Sequence, residues 1–447
     1  MKSNKSKTGK TIFLLIIFLA LGVNSKAQNN SAPIVQWSIL AGGSGQDEAH
    51  SIKQLPNGNF IVVGSSNSTN GDLSSPTPDG TLDFDYWLVN LNPQGKMLWQ
   101  KSYDNLGPEY AYTVALTKDG GYIVAGEAFS QNPSANSDLG KSHIWVLKLD
   151  KNGLIQWQKN YGGSGSDCAY SIVQTNDNGY IVAGSTSSND GNVVGNHGTD
   201  NSLDAWILKL DQDGKIQWQK CYGGTGNDVA KSILQTSDGG YIFAGETDSN
   251  DGDIKGNHGN WDYWVVKIKS DGNMEWSKVY GGTLNDKAQS IKQTKDGGYV
   301  VAGWTRSSDG DVKYLNGGAD FWVIKLNQTG QLEWEKTLGG SEDDFAYTIT
   351  NTTDGNYVVA GESKSSDGDV SNHHIKPNGL NSDGWIVKLS YSGSIIWEKS
   401  IGGNEDDVIY SIQQTNDNGF VIAGKSFSSY DGVTTHGSSD FWVVKLK

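Results

Sequence analysis

Acidic residues recur with histidine in short glycine-rich loops of this chain. The stretch DGDIKGNHGNWDYW, residues 251–264, places three aspartates and one histidine ahead of an aromatic segment. Asp251, Asp253 and Asp262 occupy positions one, three and twelve of a calcium-binding loop, where carboxylate oxygens are ligands. Position five is Lys255, which cannot bind a cation. The loop chemistry therefore leaves two interpretations open: weak calcium binding, or acids that accept hydrogen bonds from loop amides.

Related loops along the chain carry acids at the same positions. The acids that we expect to stabilise these loops, or to bind calcium weakly at several similar sites, are Asp190, Asp251, Asp253, Asp309, Asp311, Asp367 and Asp369. A second set of acids opens predicted strands, at Asp47, Asp167, Asp228, Asp286, Asp344 and Asp407. Each loop has one histidine or an adjacent pair, without the spaced partners of a tetrahedral zinc site. Repetition in most units indicates that each unit needs these acids to hold its own loop.

Enzyme motifs are absent from the sequence, which has no G-x-S-x-G, no phosphate-binding loop and no H-E-x-x-H. The single arginine, Arg306, counts against a site that clamps carboxylate, sulfate or phosphate with several guanidinium groups. Paired carboxylates could still hydrolyse a glycosidic bond. We therefore expect a binding scaffold for a protein or glycan and assign no catalytic residue. The alternative is a carbohydrate-active enzyme that uses its acidic residues.

Internal repeats define the elements that position these acids. The segment GGSGSDCAYSIVQTNDNGYIVAGSTSSNDG, residues 162–191, recurs at 223–252 and again from Gly281, Gly339 and Gly402, with looser copies near both Gly42 and residue 106. Each unit of about 60 residues reads as four short strands joined by Asp-Gly or Asn-Gly turns. Apolar runs such as YIVAG predict sheets that are buried on both faces. Seven units therefore predict an all-β, seven-bladed β-propeller with four-stranded antiparallel blades.

Tryptophans and the chain ends support this architecture. Seven tryptophans lie in the predicted third strands and seven in the fourth, and we expect all fourteen to be core residues. The segment 34–40 resembles a fourth strand without its blade, whereas 441–446 resembles a third strand without its neighbour. The N-terminal strand is therefore predicted to join the last blade and close the ring. Cys168 and Cys221 fall on the innermost and outermost strands of one blade, too far apart for a disulfide.

The first residues predict export. Lysines followed by the apolar run TIFLLIIFLALGV indicate a signal peptide over 1–27, a short linker over 28–32 and the propeller over 33–447. Without residues 1–27 the chain has 30 basic and 50 acidic residues, a formal net charge of −20, which disfavours nucleic acid as a partner. No second apolar segment is long enough to span a membrane. We expect a monomer in the periplasm or outside the cell.

The repeat also has a family resemblance, carried by the pattern DGGYIVAG, SNDGDV, NHG, D-x-W-V-V-K-L and I-x-W-x-K-x-x-GG. With this pattern, residues 33–447 resemble the secreted β-propeller repeat proteins of Bacteroidetes-type bacteria. The resemblance implies an exported propeller and no particular activity.

Function is expected where the repeat is broken. Segments 74–85 and 131–143, in blades one and two, lack the DGD signature and form either a partner patch or relaxed loops. Trp261 and Trp304, in blades four and five, belong to neither tryptophan series. They form either a ligand-binding platform that stacks on sugars or part of the packing.

Overall fold

The described residues contain 28 strands, which form seven four-stranded antiparallel sheets. The innermost strands of consecutive sheets contact one another around a closed ring. Residues 32–447 therefore form a seven-bladed β-propeller, and the predicted fold class is confirmed. The computed structural model describes, besides Met1, residues 31–73, 83–105, 107–129, 141–198, 202–374, 381–429 and 434–447.

Three predicted segments lie largely outside the described residues: the signal peptide with its linker and the two divergent loops. Only 83–85 and 141–143 of these loops are described. In the described part of the chain, no helix is long and apolar enough to cross a membrane.

The inner half of each blade consists of its innermost and second strands. The innermost strands of blades one to seven are Asp47–Gln54, Glu109–Leu116, Asp167–Gln174, Asp228–Gln235, Asp286–Gln293, Asp344–Asn351 and Asp407–Gln414. The second strands are Phe60–Ser66, Tyr122–Phe129, Tyr180–Thr186, Tyr241–Thr247, Tyr299–Thr305, Tyr357–Ser363 and Phe420–Ser426.

The outer half consists of the third and outermost strands. The third strands of blades one to seven are Asp85–Leu91, Ser142–Leu149, Asp204–Leu210, Asp262–Ile268, Asp320–Leu326, Asp383–Leu389 and Asp440–Leu446. The outermost strands are Met97–Tyr103, Ile155–Tyr161, Ile216–Tyr222, Met274–Tyr280, Leu332–Leu338, Ile395–Ile401 and, for blade seven, Val35–Ala41.

Ring closure joins the two ends of the propeller. Val35–Ala41 pairs antiparallel with Asp440–Leu446, with Ala41 opposite Phe441. The backbone N–H of Ile34 donates to Lys447 O at 2.9 Å. The pairing predicted for the N-terminal strand is therefore confirmed.

A bulge in each innermost strand turns one residue out of the pairing register. In blade four, the register shifts between Ala230 and Ser232, which leaves Lys231 unpaired. Opposite this bulge, a Cβ placed on Gly245 would lie 1.8 Å from the carbonyl oxygen of Val229. Only glycine permits this close approach, so the glycine in the VG or AG step of each second strand is a requirement of the fold.

The two tryptophan series differ in burial. The third-strand tryptophans are fully buried, at 0–1% exposure. In the outermost series only Trp397 is buried. The other six pack against the hydrophobic clusters but are only partly buried, so the expectation of fourteen core tryptophans holds for their packing and not for their full burial. Trp157 shows the reason: its indole N–H donates to Gln212 O, in the next blade, at 3.2 Å. A side chain that spans the open side of two blades keeps part of its surface in water.

Candidate functional site

One edge of the propeller, called the rim here, collects the loops that carry the repeated acids. Strand directions alternate within a blade, so the innermost and third strands begin at this edge, and the second and outermost strands end there. The loop between two blades therefore meets the loop that follows the second strand. Loops 223–227 and 248–261 are such a pair.

Acids at the start of the innermost strands hold these loops. Asp228 is fully buried and accepts hydrogen bonds from the backbone N–H of Gly224 at 2.7 Å, from Ser249 Oγ at 2.8 Å and from the Thr247 hydroxyl. Burial raises the pKa of Asp228 to about 6, although these hydrogen bonds act in the opposite direction. The same arrangement recurs at Asp47, Asp167, Asp286, Asp344 and Asp407.

Aspartates of the DGD sequences, such as Asp251 and Asp253, accept hydrogen bonds from the adjacent loop between blades. Asp251 accepts the backbone N–H of Thr225 at 2.7 Å through Oδ1, and the hydroxyl of that residue at 2.9 Å through Oδ2. These two bonds lower the pKa of Asp251. Asp253 Oδ2 accepts the backbone N–H of Gly223 at 3.3 Å.

The remaining candidate calcium residues lie in the same positions. Equivalent hydrogen bonds from loop amides are accepted by Asp190, Asp309, Asp311 and Asp367. The backbone N–H of Asp369 donates to Gly339 O at 2.9 Å, as those of Asp253 and Asp311 do to Gly223 and Gly281. The carboxylate hydrogen bonds confirm the expected loop-stabilising contacts for the six acids other than Asp369, and calcium binding at these loops stays a prediction.

Acids at the start of the third strands bind the histidines of the long loops. Asp262 Oδ2 accepts the backbone N–H of His258 at 2.7 Å and lies 2.9 Å from Nδ1 of its ring. Burial raises the pKa of Asp262 to about 6. A Cβ on Gly281 would lie 2.4 Å from Asp262 Oδ1 and 2.6 Å from Asp286 Oδ2. The junctions after blades three to seven are therefore each a pair of buried carboxylates separated by a bare glycine.

The bulged residues of the innermost strands form a belt around the axis. This axial belt consists of His50, Tyr112, Tyr170, Lys231, Tyr347 and Tyr410, from six consecutive blades. Ring centroids of neighbouring aromatic members are 5.0–5.7 Å apart. Burial lowers the pKa of His50 to about 4, so its ring is neutral at neutral pH. This belt was not predicted from the sequence, although innermost strands such as DCAYSIVQ carry its signal, an aromatic residue at the fourth position.

The two tryptophans outside both series meet beside Lys287, on the rim side of the belt. Lys287 Nζ lies 4.0 Å from the ring centroid of Trp261 and 3.4 Å from Glu246 Oε2. Lys287 pairs in register with Trp304, whose ring centroid is 5.2 Å from that of Phe345. Trp261, Lys287, Trp304 and Phe345 are half-buried, and we call them the aromatic cluster. The structure thus places both tryptophans singled out from the sequence next to the same residue, Lys287.

A second group of aromatic residues lies in blades one and two. The ring centroid of Tyr110 is 5.0 Å from that of Phe84 and 6.2 Å from that of Phe129. Phe84 precedes its third strand as Trp261 does, and Tyr110 occupies the strand position of Lys287. The two aromatic groups, with the ion pair Lys425–Glu48 at 3.0 Å, therefore border the rim-side opening of the axis, which we call the axial mouth.

Comparison with known proteins finds similarities at low sequence identity. No family model matches it. Regulatory protein FlaEY of Caulobacter vibrioides is 23% identical over 340 residues, which cover 69% of this chain and 35% of the relative. The chain therefore spans about a third of the length of the curated relative that it matches.

Similar solved structures cover most of the chain at low identity. A protein of unknown function from Bacteroides caccae is 12% identical with a TM-score of 0.41, covering 83% of this chain and 94% of that one. The β-propeller domain of the Trilobed protease from Pyrococcus furiosus is 11% identical with a TM-score of 0.44, covering 91% and 94%. These likenesses concern the fold alone. The fold and its internal repeats make the chain a β-propeller repeat protein.

Proposed function

We propose that this chain is an exported, non-enzymatic binding scaffold whose ligand, a protein or a glycan, contacts the axial mouth. The observation that carries the proposal is the aromatic cluster. Its half-buried rings adjoin an ammonium group and the Glu246 carboxylate. Aromatic surface with a few placed polar groups is typical of ligand pockets and of the energetic centres of interfaces. Sugar rings stack on such surfaces, and protein side chains pack on them.

The repeated carboxylates support a scaffold over a glycoside hydrolase. A hydrolase needs one pair of carboxyl groups that a substrate can reach. Here the paired acids, for example Asp262 and Asp286, are fully buried. The arrangement also recurs at consecutive junctions, and its bonds are made to loop amides and hydroxyls. Such repetition is what loop stabilisation requires.

Export and weak calcium binding complete the proposal. The apolar run within residues 1–27 directs the chain to the periplasm or the cell exterior, where the mature chain acts as a monomer. The formal charge of −20 of the remaining chain favours cation uptake by the DGD loops. The lysine at position five of loop 251–262 predicts affinities no tighter than about 10⁻⁴ to 10⁻³ M.

Binding arrays test the proposal with residues 28–447. Labelled protein is applied to a glycan array and to an array of exported proteins, with millimolar calcium and with chelator. A retained ligand is then titrated against the variants Trp304→Ala and Tyr391→Ala. Tyr391 is an exposed aromatic residue on the hairpin turn after the third strand of blade six, at the opposite edge from the rim.

We expect Trp304→Ala to weaken binding at least tenfold, because aromatic anchors carry much of an interface's affinity, and Tyr391→Ala to bind as the wild type does. Equal affinity of wild type and Trp304→Ala would place the ligand elsewhere. Hydrolysis of a retained glycan would contradict the non-enzymatic assignment.

A further inference from the structure

The junction between blades one and two differs from the others in its chemistry. Its loop has the sequence DNLGPE, residues 104–109, where blades two and three are joined by GGSGSD. Asp104 thus replaces the bare glycine, and Glu109 replaces the aspartate that opens the innermost strand. Asp85 opens the third strand of blade one, as aspartates do in blades three to seven. Three carboxylates therefore converge here, whereas the junctions after blades three to seven each have two.

The three groups are close enough to share one ion. One carboxylate oxygen from each of Asp85, Asp104 and Glu109 lies within 4.8 Å of the other two. Calcium binds carboxylate oxygens at about 2.3–2.6 Å, so ligands on opposite sides of the ion are up to about 5 Å apart. The spacing therefore fits a common ion without movement of the strands.

Glu109 supplies a second, independent observation. Its side chain is fully buried, and neither carboxylate oxygen accepts a hydrogen bond of normal geometry from the described residues. The reason is local, because Glu109 pairs with Ala128, whereas Asp228 pairs with Thr247 and receives its hydroxyl. The backbone N–H of Asn105 lies near the carboxylate without forming a hydrogen bond of normal geometry to it. A fully buried carboxylate that lacks such hydrogen bonds is stabilised by a proton or by a cation.

We propose that Asp85, Asp104 and Glu109 bind one hard divalent cation, calcium in preference to magnesium. The ligand set consists of carboxylate oxygens alone, which suits calcium, manganese and magnesium and disfavours metals that seek thiolate or imidazole. Magnesium demands near-ideal octahedral geometry at short distances. Ligands fixed on two different blades meet the looser requirements of calcium more readily. This site is separate from the DGD loops and does not depend on the axial mouth.

Calorimetric titration of residues 28–447, freed of metal with chelator, tests the site. Calcium, manganese and magnesium chloride are titrated separately, and terbium luminescence excited through aromatic residues such as Tyr103, next to Asp104, gives a second readout. We expect one cation per chain that binds more tightly than the DGD loops do. Asp104→Gly restores the residue found at other junctions, and it should weaken this site at least tenfold.

Two controls separate a ligand from its electrostatic surroundings. Asp83→Asn removes the same charge beside the site and should change affinity less than threefold. Glu109→Gln keeps the shape of the side chain and loses the anionic ligand, so it should abolish the tight site in a folded protein. Near-ultraviolet circular dichroism checks folding of each variant.

Three outcomes would overturn the inference. The first is wild-type protein that binds none of the three cations at unit stoichiometry, which means that the carboxyl groups share protons instead. The second is unchanged affinity in Asp104→Gly or Glu109→Gln. The third is loss of the tight site in Asp251→Ala, which would assign it to the DGD loops.

Discussion

The buried carboxylates predict an unusual dependence of stability on pH. Burial raises the pKa of Asp228 to about 6 in the folded protein, against about 3.9 in an unfolded chain. The folded state therefore holds this proton more tightly than the unfolded state does. Its contribution to the free energy of unfolding is fully present below the unfolded pKa and is lost as the pH rises through 6.

The size of the effect follows from linkage. Between pH 5 and pH 7 the native carboxyl loses most of its proton, while the unfolded group is already ionised. Integration over this interval gives a loss of about 1.3 kcal/mol for one such group. The variant Asp228→Asn keeps a neutral side chain of the same shape at every pH. Wild type should therefore lose about 1.3 kcal/mol more than the variant between pH 5 and pH 7.

Urea denaturation at pH 5, 6 and 7 measures this difference. Chelator is present throughout, because a bound cation would favour the ionised carboxyl groups and reverse the trend. The comparison with Asp228→Asn cancels the titration of other groups, including His50, whose lowered pKa of about 4 makes the opposite contribution. Parallel pH profiles for the two proteins would refute the argument that burial governs this carboxyl.

Three further predictions concern the fold. Deletion of residues 28–41 exposes a sheet edge on the last blade and removes its outermost strand, so the melting temperature should fall and aggregation should increase; an unchanged melting temperature would contradict ring closure. Trp264→Ala should cost about 3–5 kcal/mol in chemical denaturation, and Trp218→Ala distinctly less, because its ring is half-buried. Asp251→Ala should lower the melting temperature even in chelator; a loss seen only with calcium would make the DGD loops metal sites first.

Most of the fold could be predicted because the same pattern of strands and turns recurs in each repeat. The tight turns, the apolar second and third strands and the divided last blade each have a direct sequence signal. Burial of the outermost tryptophans could not be predicted in the same way. The indole of Trp157, for example, donates a hydrogen bond to a turn of the next blade. Its burial therefore depends on the distance between two blades, which the sequence pattern of a single blade does not give.

The candidate sites were predicted less completely for similar reasons. Trp261 and Trp304 could be singled out because they break the repeat, but their meeting beside Lys287 depends on contacts between neighbouring blades. The axial belt escaped prediction because the bulge at positions such as Lys231 interrupts the alternation of strand faces. Glu109 was not predicted as a candidate ligand because its loop, DNLGPE, differs from the GG-x-x-x-D pattern of the other repeats.

The pairing of Val35–Ala41 with Asp440–Leu446 sets an order of events in folding. The first strand of the propeller has no partner until the other strands of the propeller have been synthesised. Blades one to six can form in turn, but the seventh must wait for its third strand, and loop closure across the entire propeller makes this step the slowest. Throughout that interval Trp37 and its strand are an exposed, unpaired edge. The newly made propeller is therefore most vulnerable to aggregation and proteolysis just before its last blade closes.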